Sequence, residues 1–378
     1  MRVAIQGSFR PSEGRHSAVF SLEVRFLEAL AEADAQGRYL LFNVGWRDPA
    51  GLASRLAHPG ASNFETAIAR LPSKLVRAAE DAFGWSLRAR ELRRRGVTLL
   101  HVFEHIYPAP PRFPSLVTFY DCIPKVRPQW GDASVRRAMD LNAARAKHLI
   151  AVSEWTKQDL LRVYGLPDDR VTVVPLGIDR RAFRPRPPAE TDALRARLKL
   201  PERFALTFGQ SPRKNVEAVL EAYPAWTARD ADLGLVVVGT RNVYGERLQA
   251  LARERGLPRV LFPGEVSDDE LAGLYSLAEV LVYASRYEGM GMPPLEAMAC
   301  GCPVAASNAS GIPEGVGDAG VLFDPESPAD LRDRVAELLD SRDRRRDLSV
   351  KGTARAAAFT WERNARATLA LYRKLSGA

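Results

Sequence analysis

The chain alternates between short apolar segments typical of strands and longer amphipathic segments typical of helices, and it does so in two series. Predicted strands of the first series lie at 3–6, 39–44, 99–103, 116–120, 148–152 and 171–174, with helical patterns such as 18–31 and 135–146 between them. Those of the second series lie at 204–208, 235–238, 260–262, 280–283, 304–306 and 321–323. Strands that alternate with helices are typical of parallel sheets covered on both faces. The pattern therefore predicts an α/β fold with two doubly wound domains.

A proline-rich segment, Arg-Pro-Arg-Pro-Pro at 184–188, separates the two series. Proline lacks an amide donor and is excluded from helix interiors and central strands, so this segment is predicted to be a linker. The length of 378 residues also favours two domains. We expect an N-terminal domain at 1–182, a C-terminal domain at 183–359, and a last helix at about 360–378.

The composition narrows the class of partner and the compartment. The net charge is +8, which favours anionic partners. Three cysteines, Cys122, Cys300 and Cys302, cannot form a disulfide framework, and their spacing does not indicate a zinc site, which suggests a reducing compartment. No apolar run reaches the length of a membrane span, and the N-terminus does not resemble a signal peptide. A cytoplasmic protein is expected.

A basic cluster within residues 74–95 has two interpretations. Its cations surround two aromatic residues, Phe83 and Trp85; they are Lys74, Arg77, Arg88, Arg90, Arg93, Arg94 and Arg95. The cluster could form an amphipathic helix that rests on the inner face of an anionic membrane. It could equally be the solvated face of an ordinary helix. No nucleic-acid-binding module is recognised, so nucleic acid is not an expected partner.

Residues 285–303 combine a strand end, a glycine-rich loop and a helix start. The helix is predicted to begin at Pro293 and Pro294 and to end at Gly301. Free amide groups and the helix dipole make such a start an anion site. Glu288 opens the loop and Glu296 lies on the helix, with seven residues between them. Carboxylates beside an anion site suggest a ligand with hydroxyls and phosphate, as a nucleotide sugar has.

A second candidate segment, 208–215, follows the first strand of the second series. Gly209 permits a sharp exit from the strand, and Pro212 is predicted to open a helix from about residue 214 to 222. Two adjacent cations, Arg213 and Lys214, are unfavourable at a helix N-terminus unless they face a polyanion. A solvated basic turn is the alternative.

Residues 287–301 resemble the Glu-seven-residues-Glu signature of retaining GT-B glycosyltransferases, in particular their large fourth family. The resemblance implies two Rossmann-like domains with an interdomain cleft, and a last helix that packs back on the first domain. It implies that Arg213 and Lys214 hold the donor diphosphate together with amide groups at 293–296, and that Glu288 and the backbone of 289–292 hold the sugar. Glu296 would accept hydrogen bonds from the ribose. The donor-binding residues implied are Gly209, Val266, Gly289, Met290, Gly291, Met292, Pro293, Leu295 and Glu296.

The first domain resembles the family less closely. Tyr120-Asp121 stands where members commonly have His-Asp, and tyrosine cannot act as a base near neutral pH. Asp121 could serve the site or cap its turn. Ser153 is a candidate helix N-cap in a loop expected to face the cleft. Gly14 and Arg15 are the residues of the first loop expected to line it.

The resemblance implies transfer of a hexose from a nucleotide-diphosphate sugar to a glycan or lipid-linked glycan hydroxyl, in cell-surface polysaccharide synthesis. Mannose from GDP-mannose is one candidate, and UDP-sugars stay open. No metal or other cofactor is required, and Asp230-Ala231-Asp232 is interpreted as a surface turn. Two alternatives remain: a nucleotide-sugar epimerase or hydrolase on the same fold, and a non-catalytic nucleotide-binding protein.

Overall fold

The computed structural model describes residues 1–7, 18–46, 48–72, 76, 80, 84–209, 211–239 and 242–377. Contacts along the backbone divide the chain into two compact units. The first comprises Met1–Gly177 with Thr360–Ala378, and the second comprises Ile178–Phe359.

The first unit is built on a parallel sheet of seven strands. They are β1 (Arg2–Gln6), β2 (Arg38–Val44), β3 (Phe64–Ala69), β4 (Leu99–Val102), β5 (Ser115–Phe119), β6 (His148–Ala151) and β7 (Val171–Val173), in the order β3-β2-β1-β4-β5-β6-β7. Its helices are α1 (Ala18–Ala33), α2 (Pro49–Ala53), α3 (Leu87–Arg94), α4 (Ile123–Val126), α5 (Ala133–Arg145) and α6 (Glu154–Tyr164). Strands β4, β5 and β6 are buried along their whole length, which explains why they read as continuous apolar runs.

The second unit has a parallel sheet of six strands. They are β8 (Arg203–Phe208), β9 (Leu233–Val238), β10 (Val260–Gly264), β11 (Val280–Tyr283), β12 (Val304–Ser307) and β13 (Val321–Phe323), in the order β10-β9-β8-β11-β12-β13. Its helices are α7 (Pro188–Leu198), α8 (Val216–Thr227), α9 (Val243–Glu254), α10 (Asp268–Leu277), α11 (Met292–Ala299), α12 (Ile312–Val316), α13 (Pro328–Asp340) and α14 (Arg342–Ala356). The predicted class, two doubly wound Rossmann-like domains, is confirmed.

The last helix, α15 (Trp361–Ser376), belongs to the first unit although it follows the second in sequence. Its apolar face is buried, and the Tyr372 hydroxyl lies 2.6 Å from Nδ1 of His101 on β4. The second ring nitrogen of His101 lies 2.8 Å from the Thr118 hydroxyl. Burial lowers the pKa of His101 to about 3, so the ring is neutral and these bonds orient it.

We expect Tyr372→Phe to destabilise the first unit by about 1–3 kcal/mol, because it leaves one buried nitrogen of His101 without its partner. The phenylalanine ring keeps the packing of the tyrosine ring, so the loss of stability reports the contribution of the hydrogen bond alone. Urea unfolding followed by tryptophan fluorescence measures the difference. An unchanged midpoint would show that the hydroxyl contributes nothing to the docking of α15.

Candidate active site

The candidate site of the second unit lies where its strand order reverses, between β8 and β11. In open parallel sheets, ligands bind at the carboxyl ends of the strands at such a reversal. The segment after β8 contains Arg213 and Lys214, and the segment after β11 contains Glu288. The two candidate motifs, about 75 residues apart in sequence, therefore meet at one point of the sheet.

The helix predicted after β8 is present, but it begins beyond the two cations, so only its predicted start was wrong. Pro212–Lys214 forms a 3₁₀ turn, and α8 begins only at Val216. Between them Asn215 has a φ of 57°, a left-handed conformation that asparagine tolerates better than most residues. The Asn215 side chain donates to the carbonyl of Pro325 at 2.9 Å, which stabilises this break.

Four side chains converge on one oxygen of Glu288. Its Oε1 atom accepts from Lys214 Nζ at 2.7 Å, from the Tyr283 hydroxyl at 2.8 Å and from the Ser285 hydroxyl at 2.7 Å. Arg213 forms an ion pair with the same oxygen. We call these five residues the Glu288 cluster. It joins the 3₁₀ turn after β8 to the end of β11, which holds both cations in place.

The cluster carries two positive charges and one negative charge. Burial raises the pKa of Glu288, but the charges of Lys214 and Arg213 and the donated hydrogen bonds outweigh it and lower that pKa to about 2. Burial lowers the pKa of Lys214, and Glu288 opposes this effect. The ionised cluster thus has an excess positive charge where solvent is largely excluded, an environment that favours an anionic ligand.

The second carboxylate oxygen of Glu288 has a different environment. Among the described residues, no hydrogen bond reaches Oε2. The backbone is held on both sides, since the Glu288 amide donates to the Ser310 hydroxyl at 2.8 Å and its carbonyl accepts from the Gly311 amide at 3.2 Å. Glu288 is therefore fixed through one oxygen and its backbone, and Oε2 retains its capacity to accept hydrogen bonds from a ligand.

The helix start after Glu288 offers fewer amides than expected. Helix α11 begins at Met292 after Gly291, whose φ of 79° suits glycine. Pro293 and Pro294 carry no amide hydrogen. The amide of the next residue, Leu295, donates to a carbonyl within the helix. Amides at 293–296 therefore cannot hold an anion as predicted; Gly291 and Met292 are the available positions at this start. Met290 and Leu295 are 4% and 0% exposed, so their side chains are packed inside the second unit.

Glu296 differs electrostatically from Glu288. It is partly buried on α11 and accepts from the Tyr275 hydroxyl at 3.3 Å. Burial and then the negative charge of Asp268 raise its pKa to about 7. The carboxylate is therefore a strong hydrogen-bond acceptor that titrates near neutral pH, which suits contact with a diol.

We expect Glu296→Gln to raise the melting temperature at pH 8 and to lose this advantage near pH 5. The folded-state pKa lies above that of the unfolded chain, so ionised Glu296 destabilises the fold above pH 7. That penalty disappears as the pH falls from 7 toward 4.5 and both states become protonated. Melting curves of both proteins at pH 5–8 test this, and a constant difference over that range would contradict a raised pKa.

The other predicted residues of the second unit lie around this point. Gly209 follows β8, and a Cβ there would lie 2.7 Å from Val237 Cγ1, so a side chain would not fit. Val266 is partly exposed just before α10. The predicted capping box of Ser267 and Glu270 is confirmed. Asp230 and Asp232 lie in a turn before β9, paired with Arg203 and Arg259, as expected for a surface turn.

In the first unit, Tyr120 and Asp121 follow β5. The Tyr120 hydroxyl is buried and has no hydrogen-bond partner among the described residues. Burial raises its pKa well above the usual value, and the carboxylates of Glu104 and Glu23 add to this effect, so it stays protonated. Asp121 Oδ1 accepts from the Ile123 amide at 2.8 Å, which confirms its capping of the turn. Contact between Asp121 and a ligand stays a prediction.

Ser153 caps α6 as predicted, since its hydroxyl accepts from the Thr156 amide at 3.0 Å. Gly14 and Arg15 lie outside the described residues.

Sequence reasoning missed His105, whose Nδ1 accepts from the Tyr120 amide at 3.4 Å and whose ring stacks on Phe119. Burial lowers the pKa of His105, so the imidazole beside Tyr120 is neutral. A single histidine in a loop has no spacing pattern that could have identified it.

The basic cluster at 74–95 is only partly described, and one of its cations does not face solvent. Arg88 on α3 is 4% exposed and forms a buried ion pair with Glu80. Arg93 donates to the carbonyl of Arg112, and Arg95 pairs with Glu91 at 2.8 Å. Lys74, Arg77 and Phe83 lie outside the described residues. Arg88 therefore contributes to neither a membrane-facing nor a solvated surface, whereas both interpretations of the other cations stay predictions.

Within the described ranges, no three His, Cys, Asp or Glu side chains are grouped as a metal site requires. None of the described helices combines the length and hydrophobicity that a membrane crossing needs.

Comparison with known proteins identifies the family. The Glycosyltransferase Family 4 description matches residues 47–182, and Glycosyl transferases group 1 matches residues 192–355. The O-antigen chain mannosyltransferase B of Escherichia coli is 32% identical over 266 residues, covering 69% of this chain and 68% of that protein. The chain belongs to the glycosyl transferases group 1 family. It is a glycosyltransferase, as residues 287–301 indicated.

Two further relatives of this glycosyltransferase are also mannosyltransferases. The MMP alpha-(1->4)-mannosyltransferase of Mycolicibacterium hassiacum is 34% identical over 257 residues, covering 66% of this chain and 59% of that protein. The serotype-specific mannosyltransferase WbdA of Escherichia coli is 31% identical over 227 residues, 58% of this chain. The matched region covers only 28% of the length of WbdA.

Solved structures share the fold over nearly the whole chain. A sucrose-phosphate synthase from Thermosynechococcus elongatus superposes with a TM-score of 0.73 at 24% identity, covering 99% of this chain and 98% of that one. WaaG, a glycosyltransferase involved in lipopolysaccharide biosynthesis, superposes with a TM-score of 0.69 at 18% identity, covering 97% and 98%. The GT-B architecture of this glycosyltransferase is thereby established.

Proposed function

We propose that this glycosyltransferase moves a hexose, with retention of configuration, from a nucleotide-diphosphate sugar to a hydroxyl of a glycan or lipid-linked glycan. The observation that carries the proposal is the Glu288 cluster at the reversal point of the second sheet. Its two cations share one carboxylate oxygen, which leaves an excess positive charge suited to a diphosphate. Participation in cell-surface polysaccharide synthesis belongs to the same proposal.

Each charged residue has a distinct role in this proposal. Arg213 and Lys214 stabilise the negative charge that develops on the departing diphosphate, as preorganised donors do in a site with little water. Glu288 accepts from sugar hydroxyls through Oε2, and Glu296 accepts from the ribose diol. Because Glu296 has a pKa of about 7, a bound diol favours its ionised form, and nucleotide binding near pH 7 releases a proton.

We favour mannose from GDP-mannose as the donor. The support is the activity of two relatives, an O-antigen chain mannosyltransferase and an alpha-(1->4)-mannosyltransferase. UDP-linked hexoses are the competing donors. The retaining step is proposed to follow a front-face course, in which the departing phosphate takes the proton of the acceptor hydroxyl. Neutralisation of the diphosphate by Arg213 and Lys214 makes a metal ion unnecessary in this scheme.

The donor is tested by thermal denaturation with GDP, UDP, ADP, TDP and CDP. A nucleotide that binds the folded state alone raises the melting temperature by mass action. Stabilisation by GDP, with a weaker effect in Glu296→Ala, is the expected result. Transfer is then measured with the matching donor sugar, and NMR of the product reports the anomeric configuration. Absence of any shift at millimolar nucleotide would overturn the proposed donor site.

We also propose a cytoplasmic location with contact to the inner membrane surface through the basic cluster at 74–95. The exposed Trp85, next to α3, is the described aromatic residue that supports such contact. Flotation with anionic liposomes at low salt tests the contact. Binding that Trp85→Ala abolishes would support it, and no binding of the wild-type protein would exclude it.

A further inference from the structure

Tyr283 is the last residue of β11 and is 1% exposed. Its hydroxyl accepts from Lys214 Nζ at 2.8 Å and donates to Glu288 Oε1 at 2.8 Å. The Lys214 ammonium also lies 4.8 Å from the centre of the Tyr283 ring. One phenol therefore contacts both the cation and the carboxylate of the Lys214–Glu288 ion pair.

The direction of these hydrogen bonds has a consequence for Lys214. A hydroxyl can accept one bond and donate another at once, which an apolar residue of the same shape cannot. Burial raises the pKa of Tyr283, so the phenol stays protonated and its donation to Glu288 is retained. Burial lowers the pKa of Lys214, and the Glu288 carboxylate opposes this effect; the Tyr283 hydroxyl adds a neutral acceptor to the same ammonium.

The hydrogen bonds at the end of β11 also determine which oxygen of Glu288 remains able to bind a ligand. Tyr283 and Ser285 both leave the end of β11 and both donate to Oε1. Because the rigid strand anchors these donors, the carboxylate cannot rotate without losing two hydrogen bonds. Oε1 is thus held by donors of the protein, whereas no hydrogen bond of the described residues engages Oε2.

We propose that Tyr283 is a positioning residue of the transfer reaction, which holds Lys214 against Glu288 so that the ammonium faces the donor diphosphate and Oε2 faces the donor sugar. This inference rests on the proposed function for its catalytic consequence. The two hydrogen bonds of the Tyr283 hydroxyl, to Lys214 and to Glu288, are present in the protein without substrate. Tyr283 acts through Lys214 and Glu288 and does not require contact between the phenol and the substrate.

The test compares Tyr283→Phe with Tyr223→Phe in the full-length protein. Tyr223 is also a fully buried tyrosine of the second unit, but its hydroxyl bonds the carbonyls of Leu233 and Pro258 at 2.8 Å, near the amino end of β9. Each variant loses one hydroxyl and keeps its ring. Competitive acetylation of Lys214 over a range of pH, read by mass spectrometry, measures the lysine pKa without requiring activity.

We expect the Lys214 midpoint to fall by about one pH unit in Tyr283→Phe, because the ammonium loses a neutral acceptor. With the donor found by nucleotide binding, kcat should fall about tenfold, KM should change little, and the alkaline limb of the rate profile should move down in pH. Tyr223→Phe should change none of these. A Lys214 midpoint that is unchanged in Tyr283→Phe would overturn the inference, whereas a wild-type protein that binds no nucleotide would overturn the proposed function instead.

Discussion

Lys214→Ala is expected to lower kcat/KM for sugar transfer by a factor of 10²–10³. The substitution removes one of two cations that face the proposed diphosphate, and the loss of one preorganised donor costs about 2.7–4 kcal/mol of transition-state stabilisation. The effect should appear mainly in kcat, since the charge of the leaving group is greater in the transition state than in the bound donor. Initial rates over a range of donor concentrations separate kcat from KM.

Lys351→Ala is the matched control for this prediction. Lys351 lies on α14 in the same unit and pairs with Asp347 at 2.7 Å on the surface, with half of its side chain exposed. Its removal should change the rate less than twofold, because exposed ion pairs contribute little. If Lys214→Ala kept a fifth or more of the wild-type rate, Lys214 would not be the cation that stabilises the leaving group.

Glu288→Gln is expected to destabilise the protein at pH 7 by about 3–5 kcal/mol, beside abolishing transfer. The amide has the shape of the carboxylate but no charge, so Arg213 and Lys214 remain largely buried without their counterion. Removal of one partner from a buried ion pair has a cost of this size. Urea unfolding of the wild-type and variant proteins measures the difference in free energy of unfolding.

The same difference should depend on pH in a defined direction. The pKa of Glu288 is lowered to about 2 in the folded protein, so its stabilising charge is fully present above about pH 4.5 and is lost as the pH falls toward 2. Between pH 7 and pH 3.5 the difference between the wild-type and variant proteins should narrow by roughly 1 kcal/mol. Glu326→Gln, at an exposed pair with Arg286, should cost no more than about 1 kcal/mol. A difference for Glu288→Gln that stayed constant with pH would contradict the lowered pKa.

Most strands could be predicted because parallel strands buried on both faces consist of continuous apolar residues. The exception is β3 at the edge of the first sheet, where Glu65 and Thr66 are exposed and interrupt the apolar pattern. The break at Asn215 was also missed, since its left-handed conformation depends on a hydrogen bond to Pro325, far away in sequence. The position of α15 on the first unit could not be worked out from its amphipathic pattern, which shows that one face is buried but not against what.

The candidate site was predictable to the extent that it consists of segments that follow strands. Gly209, Arg213, Lys214 and Glu288 all follow β8 or β11, and parallel topology brings the carboxyl ends of adjacent strands together. Tyr283 could not be identified in this way, because a tyrosine at the end of an apolar strand looks like any other core residue. Its importance depends on where its hydroxyl points, and that depends on the packing of β8 against β11.

The chain's local patterns were sufficient for the strands, the caps at Ser153 and Ser267, and the pair of glutamates with seven residues between them. These features depend on neighbours in sequence, so they can be read without a fold. The charge states of the two glutamates cannot. Glu288 has a pKa of about 2 because cations from the segment after β8 surround it, whereas Glu296 has a pKa of about 7 because burial and Asp268 oppose its ionisation. Identical side chains in one motif thus acquire opposite shifts, since burial and charge at each site come from segments that only the folded chain brings together.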